Sequence, residues 1–273
     1  MKKKILLSGG KKKARKKEYG AEEANPCERR VRVVKKEEAG IRLNRYIAGA
    51  GVCSRREADK LIAGGEITVN GEVNTGLGTK VGSDDQVCYK GKLLCAEQKM
   101  YLLLNKPRGY VTTVDDPHAV HTVMELVEHA CAERVYPVGR LDKETTGLLL
   151  LTNDGELAKK LTHPSYERKK IYHVFLNRKF SEEHLEQLRQ GIELEDGPVA
   201  ADAVNFADAA DRKQVGMEIH SGRNRIVRRI FEHMGYRVVR LDRVSFAGLT
   251  KKNLPRGKWR FLSAQEVAFL KMS

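Results

Sequence analysis

The chain has 273 residues, 41% of them apolar, which fits two domains, or one large one, plus a tail, with enough apolar surface for a core. Its 51 Lys and Arg outnumber 36 Asp and Glu, for a net charge of +15, and a balance this basic suits a polyanionic partner. No apolar run approaches the ~20 residues a bilayer-crossing helix needs, and Met1-Lys2-Lys3-Lys4 followed only by Ile5, Leu6 and Leu7 is too short for a signal-peptide core.

Residues 1–40 hold 14 basic and 6 acidic residues, and the first 17 carry nine Lys or Arg and no acid. Such a stretch cannot bury enough surface to offset its ordering entropy, so it is expected to be disordered, either as a solubilising tail or as an arm on a nucleic-acid backbone. A small module is expected at 41–90. Ile41, Leu43, Tyr46 and Ile47 form a helical stripe. Ser54-Arg55-Arg56-Glu57 reads as a capping box opening a second helix with Ala58, Leu61 and Ile62 on its apolar face, ended by Gly64-Gly65. Two short strands follow around an Asn70-Gly71 turn, and Val81 and Val87 are assigned to a last strand. Arg42, Arg45, Arg55, Arg56 and Lys60 sit on or near the helical surface of this module as candidate contacts to a nucleic acid.

From 99 to 273 the pattern predicts a larger domain. Strands are expected at 100–104, 134–138, 147–152, 170–176, 199–205, 214–220 and 236–246, and helices at 121–129, 155–162, 181–190 and 224–234. Strands in runs, without regular βαβ alternation, predict an α+β fold with a mostly antiparallel sheet. The five cysteines are scattered without a Cys-x-x-Cys pair, and His118 and His121 lack completing ligands. Neither a disulfide framework nor a metal site is expected, and a reducing cytoplasm is the natural setting.

The densest chemistry lies in Gly139-Arg140-Leu141-Asp142-Lys143-Glu144-Thr145-Thr146-Gly147, which leads into the apolar strand Leu148 to Leu151. Arg140 and Lys143 favour the charged form of Asp142, and a carboxylate on a loop backed by a buried strand can serve as nucleophile or general base. Taken alone, Asp142 is as well explained as an ordinary surface carboxylate, since no second acid stands nearby as in a glycosidase.

The string GRLDKETTGLLLLTNDG at 139–155 resembles the signature of pseudouridine synthases, most closely the ribosomal RNA family with an N-terminal S-four-type RNA-binding domain. Leu104-Asn105-Lys106-Pro107-Arg108-Gly109-Tyr110 resembles the first motif, and Lys169-Lys170-Ile171-Tyr172 the segment with the family's active-site tyrosine. Ser221-Gly222-Arg223-Asn224-Arg225-Ile226-Val227-Arg228-Arg229 and Val239-Arg240-Leu241-Asp242-Arg243 resemble the last motifs. Residues 41–90 are similar to the S-four-type domain, so the resemblance covers about 41–271. It implies Asp142 as the essential aspartate, Tyr172 stacking on the base, Arg228 pairing with Asp142, Leu241 lining the uracil pocket and Arg140 holding RNA near the flipped nucleotide. Arg223 and Arg225 are read as RNA-binding. Ile226 departs from the family, where a polar Gln or Glu is common.

The resemblance implies isomerisation of uridine to pseudouridine in ribosomal RNA, with no metal or redox cofactor; a monomer is expected because the sequence offers no exposed heptad or long apolar patch. The base is flipped out, and Asp142 acts at the sugar, attacking the anomeric carbon or removing the neighbouring ribose proton. Residues 191–198 and 254–260 look more like relatives that act on the large subunit. Trp259 is expected to pack and close the second domain. Two rivals remain from the residues alone: a non-catalytic RNA-binding assembly factor, which does not require Asp142, Tyr172 and Arg228, and a DNA-binding regulator reading through residues 54–64.

Overall fold

The protein, seen in a computed structural model, is described over residues 40–114, 118 and 120–272. The lysine-rich stretch expected to be disordered lies, apart from Gly40, outside the described residues.

The N-terminal module comprises β1 (Ile41–Arg42), α1 (Leu43–Gly49), α2 (Arg55–Ala63), β2 (Ile67–Val69), β3 (Glu72–Val73), β4 (Lys80–Val81), β5 (Val87–Tyr89) and β6 (Lys92–Leu93). The capping box forms as its sequence predicts. Ser54 Oγ accepts from the Glu57 N–H at 3.3 Å, and Glu57 Oε2 accepts from the Ser54 N–H at 2.8 Å. Leu43, Ile47, Ala58 and Ile62 join Ile67, Val81 and Val87 in one small core. Asn70 and Gly71 both take positive φ, 52° and 87°, the conformation a two-residue hairpin turn demands.

Two details differ from expectation. Ile41 is exposed in β1 rather than on the first helix, because β1 pairs with β4 and the helix begins only at Leu43. Val81 and Val87 lie on separate strands. The Gly82 N–H is taken by the Asp85 carboxylate at 2.7 Å, a turn that sends β4 to β1 while β5 pairs with β2 and β6.

The second region runs β7 (Tyr101–Lys106), β8 (Tyr136–Pro137), β9 (Thr146–Thr152), α3 (Gly155–Thr162), β10 (Lys170–Leu176), α4 (Glu182–Gln190), β11 (Ile192–Leu194) and β12 (Gly197–Val199). It continues with β13 (Ala203–Phe206), β14 (Gln214–Ile219), α5 (Ile226–His233), β15 (Val238–Phe246), β16 (Leu249–Thr250), β17 (Trp259–Phe261) and α6 (Ala264–Met272). Among the described residues these strands build one nine-stranded sheet, with the order β13-β14-β10-β15-β9-β7-β17, β8 beside β9 and β16 beside β15, while β11 and β12 pair as a separate hairpin. Every pairing is antiparallel except β9 with β15, which is parallel over Asp242–Thr146 and Arg243–Gly147. The fold is α+β with a mostly antiparallel sheet.

β7 and β9 are covered on both faces. Leu103, Leu148 and Leu150 pack with Leu157, Leu161 and Leu270, while Leu102, Leu104, Leu149 and Leu151 pack with Val123, Val127 and Val135. Strand side chains alternate between faces, so an unbroken leucine run requires this double cover. Trp259 packs on the second of these clusters from β17, opposite Leu104.

The helix expected at 121–129 does not form. The Val123 N–H donates to Val111 O at 3.0 Å, and the Val111 N–H to His121 O at 2.9 Å. That bridge fixes the backbone where a helix would have to start. Turns follow, with Val127 and Ala130 donating three residues back, and they still bury Val123 and Val127. The C-terminal α6 and β17 are additions that the sequence pattern did not predict.

Candidate active site

Asp142 lies in the loop between β8 and β9, and this loop is fastened from beneath. Lys106, at the end of β7, is fully buried. Its Nζ donates to the carbonyls of Pro107 at 3.2 Å, Asp142 at 3.1 Å, Lys143 at 3.2 Å and Thr145 at 2.9 Å. One ammonium gathers the carbonyls of the loop, satisfying groups that would otherwise be stranded beside a packed sheet. Burial pulls the Lys106 amine down to about 8. The Gly109 N–H adds a bond to Lys143 O at 2.9 Å, and Thr112 Oγ1 donates to Leu141 O at 2.8 Å. The first motif, the residues just after it up to Thr112, and the Asp142 loop thus form one folded unit.

The strand after the loop is fixed from the side. Gly147 has φ +109°, and a Cβ there would stand 2.2 Å from Arg243 O and 2.5 Å from Arg243 N. Only glycine lets β9 approach β15 this closely. Asp242 accepts from Thr146 Oγ1 at 2.9 Å, pairs with Arg256 at 3.0 Å and contacts Lys251. Although burial opposes it, these bonds from Arg256 and Lys251 hold the Asp242 carboxyl at about 2. Arg256 also reaches Asn105 Oδ1 at 2.8 Å, which ties β7 to the same corner.

Above the loop opens a cavity of about 160 Å³ whose wall includes Arg140, Asp142, Tyr172, Arg228 and Leu241. The Asp142 carboxylate faces two cations. Arg228 Nε stands 3.7 Å from Oδ2 and Arg225 Nη1 stands 3.8 Å from it. Arg228 rises from the first turn of α5, where Ile226, Val227, Ile230 and Phe231 are buried. Its Nη1 is anchored to Val238 O at 3.2 Å, and burial, with Arg225 alongside, lowers its pKa. Arg225 precedes α5 in the left-handed region at φ 47°, an unusual conformation for a long charged residue and one that clusters at functional turns. Tyr172, on β10, is 9% exposed and lines the cavity together with Arg243 and Leu241 of the neighbouring β15.

The sequence-derived site residues thus fall into groups. Asp142, Tyr172, Arg228, Leu241 and Arg140 share one cavity. Arg225, read as an RNA contact, sits at the carboxylate. Arg223 also lines the cavity, but its guanidinium is taken up by Gly197 O at 2.9 Å, Pro198 O at 2.7 Å and Asp196. Arg42, Arg55, Arg56 and Lys60 are exposed on the N-terminal module, and Arg45 is exposed but pairs with Glu156 at 2.6 Å. Ile226, the departure from the family pattern, is buried in the cavity wall.

Sequence reasoning missed Lys106, Lys170 and Arg243. Lys170 donates to His220 O at 2.6 Å and Ser221 O at 3.3 Å, and burial brings it to about 8. A lysine ending a leucine-rich buried strand was the available signal for Lys106. Among the described residues, no group of three or more His, Cys, Asp or Glu could hold a metal ion, and no helix is long and apolar enough to cross a membrane.

Comparison with known proteins identifies the family. Residues 100–233 match the family model described as RNA pseudouridylate synthase, and residues 41–87 match the S4 domain. The chain is 42% identical over 233 residues to the ribosomal large subunit pseudouridine synthase B of Bacillus subtilis, covering 84% of this chain and 95% of that protein. It is also 42% identical over 234 residues to an uncharacterized RNA pseudouridine synthase of Aquifex aeolicus, covering 84% and 93%. A crystal structure of a pseudouridylate synthase superposes with a TM-score of 0.62 at 30% identity, covering 84% of this chain and 99% of that one. The chain therefore belongs to the RNA pseudouridine synthase family, among the ribosomal RNA enzymes that carry an S4 domain ahead of the catalytic one.

Proposed function

We propose that this enzyme isomerises one uridine of large-subunit ribosomal RNA in the cytoplasm, as a monomer and without metal or redox cofactor. Asp142 is the catalytic residue. The observation that carries the reading is the placement of its carboxylate, on a loop held by Lys106, across from Arg225 and Arg228 in the cavity that also holds Tyr172. Residues 41–90 act as the RNA-binding domain and 99–273 as the catalytic domain.

The target base must leave its stack to enter the cavity, at a cost of a few kcal/mol. Stacking on the Tyr172 ring and contacts of Arg140 with the backbone offset that cost. Asp142 then acts at the ribose, the N1–C1′ bond breaks, and the freed uracil turns. The ring carbon C5 bonds to C1′, C5 loses its proton, and N1 gains one. Arg228 and Arg225 aim the carboxylate and give it counter-charge. Leu241 and Ile226 keep water from the sugar while the base is free. The exposed Arg42, Arg55, Arg56 and Lys60 bind phosphates and RNA shape.

Because C5 exchanges its hydrogen for a carbon bond, ribosomal RNA carrying tritium at uridine C5 will release label to water with wild type. Asp142→Asn will bind the RNA and release none. Binding without release by wild type, on naked RNA and on pre-ribosomal particles alike, would instead assign the protein to the RNA-binding assembly factors.

A further inference from the structure

Arg243 brings a positive charge to the cavity wall that the scheme above does not use. It is 3% exposed. Its Nε donates to Leu148 O at 2.8 Å, and the guanidinium lies 4.6 Å from the centre of the Phe246 ring. Among the described residues no carboxylate forms a salt bridge with it, and Nη2 is enclosed without a hydrogen-bond partner. An unpaired buried cation costs several kcal/mol, and a well-packed apolar side chain in place of a buried charge is often neutral or stabilising. Packing therefore does not account for an arginine here.

Its neighbour does. Arg243 is the register partner of Tyr172 across β10 and β15, so both side chains leave the same face. The register slips by one residue here, from Ile171–Ser245 to Tyr172–Arg243, so the extra residue, Val244, lies on β15 and the bulge aims Arg243 while β10 stays regular against β14. Both side chains line the cavity, and the nearness of Tyr172 partly opposes the lowering of the Arg243 pKa by burial. Arg243 is itself held rigidly. Its backbone pairs with Gly147, where the missing Cβ permits the approach, and its side chain is bonded to Leu148. Both contacts come from the strand that leaves the Asp142 loop.

We propose that Arg243 is the positioning residue for Tyr172: it holds the phenol hydroxyl so that the ring keeps its stacking face toward the target base, in register with Asp142. This rests on the function proposed above. The test is a double-mutant cycle on single-turnover pseudouridine formation in ribosomal RNA, with melting temperatures recorded. Arg243→Lys and Tyr172→Phe each lower the rate about 10-fold, within the scale on which misplacement of a reacting pair acts. The double variant is no slower than the slower single one, because both remove the same interaction. Arg243→Met, which also leaves Leu148 O unpaired, is still fully folded at the assay temperature yet is slow. Multiplied effects in the double variant, or a wild-type rate for Arg243→Lys, overturn the proposal.

A second measurement reads the ring without chemistry. Protein labelled with 3-fluorotyrosine gives a ¹⁹F line for residue 172, assigned by its absence in Tyr172→Phe. Arg243→Lys shifts or broadens that line while the other tyrosine lines stay in place. An unchanged line overturns the positioning role even if wild type forms no pseudouridine, an outcome that would contradict the proposed function separately.

Discussion

Lys106 shows how much of this site rests on one side chain. A charged ammonium has three N–H donors and here serves four carbonyls from two segments. Replacement by Met leaves buried carbonyls unpaired and will cost about 2 kcal/mol or more in urea unfolding, with loss of activity. The same residue predicts a pH limit. Its folded value of about 8 lies below the unfolded 10.5, so the unfolded chain keeps the proton longer, and this group's contribution to stability grows between those values. A neutral amine has two donors and releases part of the loop. The single-turnover rate will therefore fall with a midpoint near pH 8 while the fold remains intact. A rate flat to about pH 10, well past the folded value, contradicts this role. In the sequence Lys106 stands within a motif with no visible task, because its partners in the loop lie 36 to 39 residues away. Arg243 escaped for the same reason.

At the scale of elements, local signals were legible and non-local ones were not. The capping box of α2 and the Asn70-Gly71 turn each involve residues within a few positions of one another, and each forms. Between 121 and 129 the local pattern suggested a helix, yet a long-range bridge to Val111 decides the backbone there. The parallel contact of β9 with β15 was also invisible, although it sets Asp142 beside the last motifs. Two predictions probe it. Gly147→Ala forces a Cβ into the Arg243 backbone at positive φ and will cost about 3 kcal/mol in denaturant unfolding. Asp242 has its folded value depressed from 3.8 to about 2, so its stabilisation is complete above about pH 4 and is lost as pH falls through 2. That dependence amounts to about 2 kcal/mol, and acid titration of Asp242→Asn will lack it.

For the whole molecule, charge was the most legible property. The +15 balance persists beyond the tail, since residues 41–273 still carry +7, and it is displayed by the exposed arginines of the N-terminal module. If Arg55 and Arg56 bind phosphates, changing both to Ala will weaken RNA binding about 10-fold at low salt. It will also reduce the slope of log affinity against log salt by roughly 1 for each phosphate no longer neutralised, with the bound-state rate unchanged. A lower rate at saturating RNA would place them in the catalytic step instead. The central claim is narrower: the Asp142 loop, set against Arg228 and Tyr172, rebuilds a uridine. It is tested most directly by mapping pseudouridine in ribosomal RNA through a chemical adduct that stops reverse transcription. The account predicts one new stop with wild type and none with Asp142→Asn, at equal RNA binding. The same stop with Asp142→Asn, or none with either protein, would contradict it.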